Sequence, residues 1–107
     1  MVIARFHFQI MDQQRIEMPR SATILTFNVK MPAAGSSFSA SPSVEMFAAV
    51  NPTDVTTVYR DFITLSSGQK GPDAGVIYIG SFFIHNVGCH VFEVIEREDP
   101  ENLEGVI

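Results

Sequence analysis

The segment that most constrains the fold is the last long apolar stretch, residues 76–95 (VIYIGSFFIHNVGCHVFEVI), two β-rich runs around a short connection. Residues 85–88 form that connection, and Asn86 and Gly88 are the residue types that accept positive φ, so the runs 76–84 and 89–95 are expected to return on one another as a hairpin. Ile77, Ile79, Phe83, Val91 and Ile95 share one phase of the alternation, while Val76, Tyr78, Phe82, Ile84, Phe92 and Val94 fill the other. Both faces therefore read as covered. A strand apolar on both sides is central in a sandwich or lies in an interface, and the expected partner is a second copy, making a homo-oligomer.

Upstream, the alternation of period two recurs. Val2, Ala4, Phe6, Phe8 and Ile10 occupy one parity and Arg5, His7 and Gln9 the other, which predicts a half-buried strand over residues 2–11. The polar step 12–14 and the renewed alternation at 15–18 suggest a hairpin return, ended by Pro19, which cannot donate to a ladder. Residues 24–31 set Leu25, Phe27, Val29 and Met31 on one face. Residues 32–43 (PAAGSSFSASPS) have the composition of a surface connection, with Phe38 expected to fold back on the core. The apolar run 44–50 precedes a turn at 51–54, and residues 55–65 favour strand by propensity over one helical turn at 52–54. About seven short strands without a convincing amphipathic helix predict an all-β fold, an antiparallel sandwich or barrel.

At 107 residues the chain is read as one β domain over residues 1–96 with an acidic tail over 97–107. Hydrophobic content of 46% excludes a disordered chain. Twelve acidic against seven basic residues give a net charge of −5, which argues against a bulk nucleic-acid binder but leaves a small anionic ligand open. The single cysteine, Cys89, points to no disulfide framework and to the cytosol. No apolar run approaches the roughly 18 residues of a membrane helix, and the amino-terminal alternation is unlike a signal peptide, so no membrane partner is expected.

Three motifs carry a resemblance. Ile16-Glu17-Met18-Pro19 followed by Ala22-Thr23-Ile24-Leu25, then Tyr78-Ile79-Gly80-Ser81-Phe82, then His90-Val91-Phe92-Glu93-Val94, with a weaker match at residues 46–52, stand in an order similar to a family of small uncharacterised bacteriophage proteins. The resemblance covers about two thirds of the chain. It implies a phage or prophage origin, hence the host cytoplasm, and transfers no activity. Physically, Ile16, Met18, Ile24 and Leu25 read as core and Gly80 as a bulge or close backbone approach.

Catalytic chemistry is not signalled. His85, Cys89 and His90 lie close in sequence, but neighbours on a strand point to opposite faces and no CxxC completes a set even if His7 joins, so no metal and no cofactor is expected. The serines lack a nucleophile-elbow context and the carboxylates are scattered singly, so the chain is read as no enzyme. Residues 68–72 lack the P-loop pattern. Arg5, Arg15, Arg20 and Arg60 lie on or beside strands, where an arginine is either ion-paired or held as a planar fork for a phosphate. The ligand-binding set expected on the second reading is Arg20 and Arg60 for phosphate, Tyr59 and Tyr78 for stacking, and His85 and Asn86 for polar contacts. The leading expectation is a non-catalytic binding protein that sequesters a small anionic, nucleotide-like ligand of host antiviral defence. The alternative is a phage structural or protein–protein interaction module.

Overall fold

A computed structural model of the chain describes residues 1–32 and 41–95. Phe38 and the acidic tail fall outside the described residues. Seven strands follow one another: β1 (Val2–Phe8), β2 (Gln13–Pro19), β3 (Thr23–Lys30), β4 (Ser43–Val50), β5 (Thr57–Ser66), β6 (Val76–Ile84) and β7 (Val87–Val94). All pairings are antiparallel, in a three-stranded sheet of order β1-β4-β3 and a four-stranded sheet of order β2-β5-β7-β6. The sheets stack as a sandwich.

The alternation of β4 places Val44, Met46, Ala48 and Val50 inside, where they meet Met18, Phe62, Phe82 and Val91 of the other sheet. Phe8 sits at the centre, its ring edge-on to Phe27, Phe62 and Phe82 at centroid distances of 5.1, 6.0 and 6.1 Å. Fully burying side chains of this size stabilises the fold by about 1.5–3 kcal/mol each. Strand β1 stops at Phe8, and Ile10 and Met11 are exposed beyond it.

The expected hairpin between β1 and β2 does not form, because the two strands belong to different sheets. At the corner the Gln14 side-chain amide replaces the ladder. Its Oε1 accepts from the Gln9 amide at 3.0 Å and its Nε2 donates to the Gln9 carbonyl at 2.8 Å. Thr64 N–H then ties the Asp12 carbonyl to β5 at 2.9 Å.

Two bulges correct the phases read from the sequence. A register shift between Ile24 and Thr26 adds Leu25 as an extra residue, so Ile24, Phe27 and Val29 face the core while Leu25 is exposed, and Met31 is exposed because β3 ends at Lys30. A second shift between Tyr78 and Gly80 turns Ile79, Phe82 and Ile84 inward and leaves Tyr78, Ser81 and Phe83 on the outer face. Gly80 is where β6 packs on β3, and a Cβ there would stand 2.8 Å from the Phe27 ring. The β6–β7 hairpin turns on two residues, His85 (φ 48°) and Asn86 (φ 67°), the pattern of a type I′ turn. Gly88, expected at positive φ, is instead already in β7.

From β2 the chain crosses the end of the sandwich to reach β3. Asp54 accepts from the Ser21 hydroxyl (2.6 Å), the Ser21 amide (3.2 Å) and the Thr56 amide (3.0 Å), and Arg20 N–H donates to the Thr56 carbonyl. Residues 51–54 form a turn closed by the Asn51 side chain on Thr53, in place of a helical turn. No described helix is long and apolar enough to cross a membrane.

Candidate functional site

The registers of the four-stranded sheet place Gln13, Ile63, Phe92 and Tyr78 in one row across its outer face. Beside that row lie Arg15 and Asp61, with Val94 next to them. On the other side lie Leu65, His90 and Ser81. The face is apolar toward β6, where Tyr78 is exposed, packs edge-on to Phe92 at 5.6 Å and is followed outward by Phe83, which is 67% exposed. Toward β2 it is charged. Arg15 Nε donates to Asp61 Oδ1 at 2.8 Å and its guanidinium stands 5.9 Å from the centre of the Tyr59 ring. That hydrogen bond and the adjacent negative charge hold the Arg15 proton more firmly than usual. A depression of about 440 Å³ runs along this margin, lined by Gln13, Arg15, Asp61, Ile63 and Val94.

The six residues expected to bind a ligand do not converge within one chain. Tyr59 and Arg60 are neighbours on β5 and point to opposite faces. Arg60 shares the inner parity of Phe62, and its fork is bidentate to Glu93, Nε to Oε2 at 2.6 Å and Nη2 to Oε1 at 2.7 Å. A third bond runs from Nη1 to the Ala22 carbonyl at 2.7 Å. With the two side chains 17% and 13% exposed, this is the ion-paired alternative for Arg60, a clamp that fastens the crossover to the four-stranded sheet. Arg20 is exposed on that crossover at the end of the sandwich. Tyr78 lies on the outer face, and His85 and Asn86 lie at the hairpin tip, about 20 Å along the strand at the usual rise per residue.

Cys89 and His90 face opposite sides. The thiol is buried in the core, which pushes its pKa up. His90 lies on the outer face within a hydroxyl relay that sequence reasoning missed. Its Nε2 is 3.1 Å from Ser67 Oγ, its Nδ1 is 2.9 Å from Ser81 Oγ, and Ser81 shares a 2.6 Å hydrogen bond with the Tyr78 hydroxyl. Gly88 makes room for it, since a Cβ there would stand 2.9 Å from Ser67 Oγ. Hydroxyls meet both ring nitrogens, and the chain of bonds through Ser81 ends on the Tyr78 hydroxyl and holds it on the sheet face. A turn placed at residues 85–86 pairs Ser81 with His90, and that register was the available signal.

Residues 1–102 match the family described as Domain of unknown function (DUF7352). The chain belongs to this family. No curated protein and no solved structure matches it.

Proposed function

We propose that this DUF7352 protein is a non-catalytic assembly module that associates with further copies of itself through the outer face of its four-stranded sheet. The observation that carries the reading is the exposure of Tyr78 and Phe83 around half-buried Phe92 and Val94, on a face where hydroxyl bonds hold Tyr78 in place. Aromatic residues pre-fixed at the surface lose little conformational freedom on association. The other margin interleaves Arg15 with Asp61 and Glu17, so the face has no strong single sign. That composition suits a second copy better than a highly charged partner.

Within a phage-encoded setting, the role that fits is a building or docking unit. Sequestration of an anionic nucleotide draws less support, because Glu93 occupies the Arg60 fork. Such a site would rest on Arg20, Tyr59, Tyr78, His85 and Asn86 meeting across copies, which calorimetric titration with cyclic nucleotides reads directly.

The test of the assembly reading is Phe83→Glu, which sets a charge on the outer face without touching the core. Light scattering should show a lower particle mass than wild type, with the circular dichroism spectrum unchanged. Ile79→Glu, which faces inward, should unfold the protein instead. An unaltered mass in folded Phe83→Glu overturns the reading.

A further inference from the structure

The sandwich has four strand edges, and three of them are blunted. β3 and β6 lean on one another at one side, each interrupted by a bulge. β2 carries Arg15 and Glu17 and ends on Pro19. These are the devices that keep an edge from pairing with another chain. β1 has neither a bulge nor a proline, and its one such device is the charge of Arg5. Its seven residues run in unbroken register with β4 from Val2 opposite Val50 to Phe8 opposite Val44, with no proline, no glycine and one formal charge, Arg5. Among the described residues, no backbone hydrogen bond outside that ladder reaches residues 2–8. The apolar stripe runs out to this edge, which no other described strand pairs, and there Val2, on the core parity, is still 47% exposed and Ile3 is 55% exposed.

We infer that β1 is a second self-association site, at which it pairs antiparallel with β1 of another copy about a two-fold axis at Ala4. The joined sheet then has the order β3-β4-β1-β1-β4-β3. This register sets Val2 opposite Phe6 of the partner copy on the core face, extending the apolar stripe across the join. On the outer face it sets Ile3 opposite Arg5 of the partner copy. A register centred on Arg5 would oppose two arginines, and directly opposed like charges destabilise a strand pair. One centred on Phe6 would leave Ile3 opposite Gln9. The strand is thus self-complementary in the register that covers its most exposed apolar residues. This deepens the assembly reading, because a second interface on one chain, distinct from the sheet face, carries assembly beyond a dimer.

The register makes a prediction that depends on the sign of a charge. Light scattering is performed in the Phe83→Glu background, so that the sheet-face contact and the edge contact are read separately. Phe83→Glu alone should remain a dimer, held by β1. Adding Ile3→Lys places a lysine opposite Arg5 on both sides of the axis and should give a monomer, whereas adding Ile3→Glu places a carboxylate there and should keep the dimer. Thermal melts establish that each variant is folded. A monomeric Phe83→Glu protein overturns the edge interface and leaves the face interface standing, while a wild-type protein no larger than the Phe83→Glu dimer overturns the face and leaves the edge. Equal dissociation by Ile3→Lys and Ile3→Glu, or by neither, overturns the register.

Discussion

Arg60→Met removes the cation of a pair whose side chains are 17% and 13% exposed, and keeps most of the stem on the inner face of β5. Removing one partner of a buried pair costs about 3–5 kcal/mol, chiefly because the other charge is left uncompensated. Residual solvent contact of Glu93 puts this case at the lower end, about 3 kcal/mol. The unpaired Ala22 carbonyl contributes part of that, about 1 kcal/mol. For a chain of this size the loss corresponds to a drop in Tm of about 12 °C or more. Arg60→Met with Glu93→Leu removes both charges and should recover to within about 1 kcal/mol of the parent, since apolar replacement of a whole pair is often neutral. The coupling in the cycle is then about 2 kcal/mol or more. Urea unfolding followed by circular dichroism at one fixed protein concentration, in the Phe83→Glu, Ile3→Lys background expected to be monomeric, keeps association out of the comparison. A loss under about 1 kcal/mol for Arg60→Met, or a double variant as unstable as the sum of the singles, would refute the clamp and return Arg60 to the set available for a ligand.

Gly80→Ala should destabilise the fold by about 1–3 kcal/mol through overpacking against the Phe27 ring, and Phe27→Leu should recover part of it in a two-variant thermal comparison. Thr64→Val removes a buried hydroxyl with no hydrogen-bond partner among the described residues and should raise stability by about 1 kcal/mol in urea unfolding. The Asp54 carboxyl is held below the usual carboxylate range, first by the Ser21 hydroxyl and then by the Thr56 and Ser21 amides. Its stabilisation is therefore present above the unfolded value of about 3.9 and lost as pH falls through the lower folded value. Asp54→Asn should lower Tm at pH 7 and converge on wild type in strong acid; a gap independent of pH would show that the carboxylate charge is not the cause.

Much of the fold was legible in local pattern. The apolar run 44–50 is β4, and the apolar run 76–95 is the β6–β7 hairpin. Gly80 read as a bulge or close approach and is both. What escaped depends on distant partners. Nothing within residues 9–14 announces that the chain changes sheets there, because that is decided by β4 and β5 offering β1 and β2 separate ladders. Bulges in β3 and β6 each shift the phase by one residue, so Leu25 looked internal and Phe83 looked to share the face of Ile79. The Arg60 partner, Glu93, lies 33 residues away. Yet the parity of β5 already set Arg60 with Phe62 and opposite to Tyr59, which was enough to separate the two as ligand contacts. The hydroxyl relay needed the turn at His85 and Asn86 in place of one reaching Gly88, a shift that brings Ser81 level with His90.

The most direct test of the assembly claim is the mass of the wild-type protein by light scattering over a concentration series from low to high micromolar. A particle of at least twice the 11.8 kDa chain is expected, growing with concentration and reduced by Phe83→Glu. A wild-type protein that stays at 11.8 kDa throughout the series would contradict the claim.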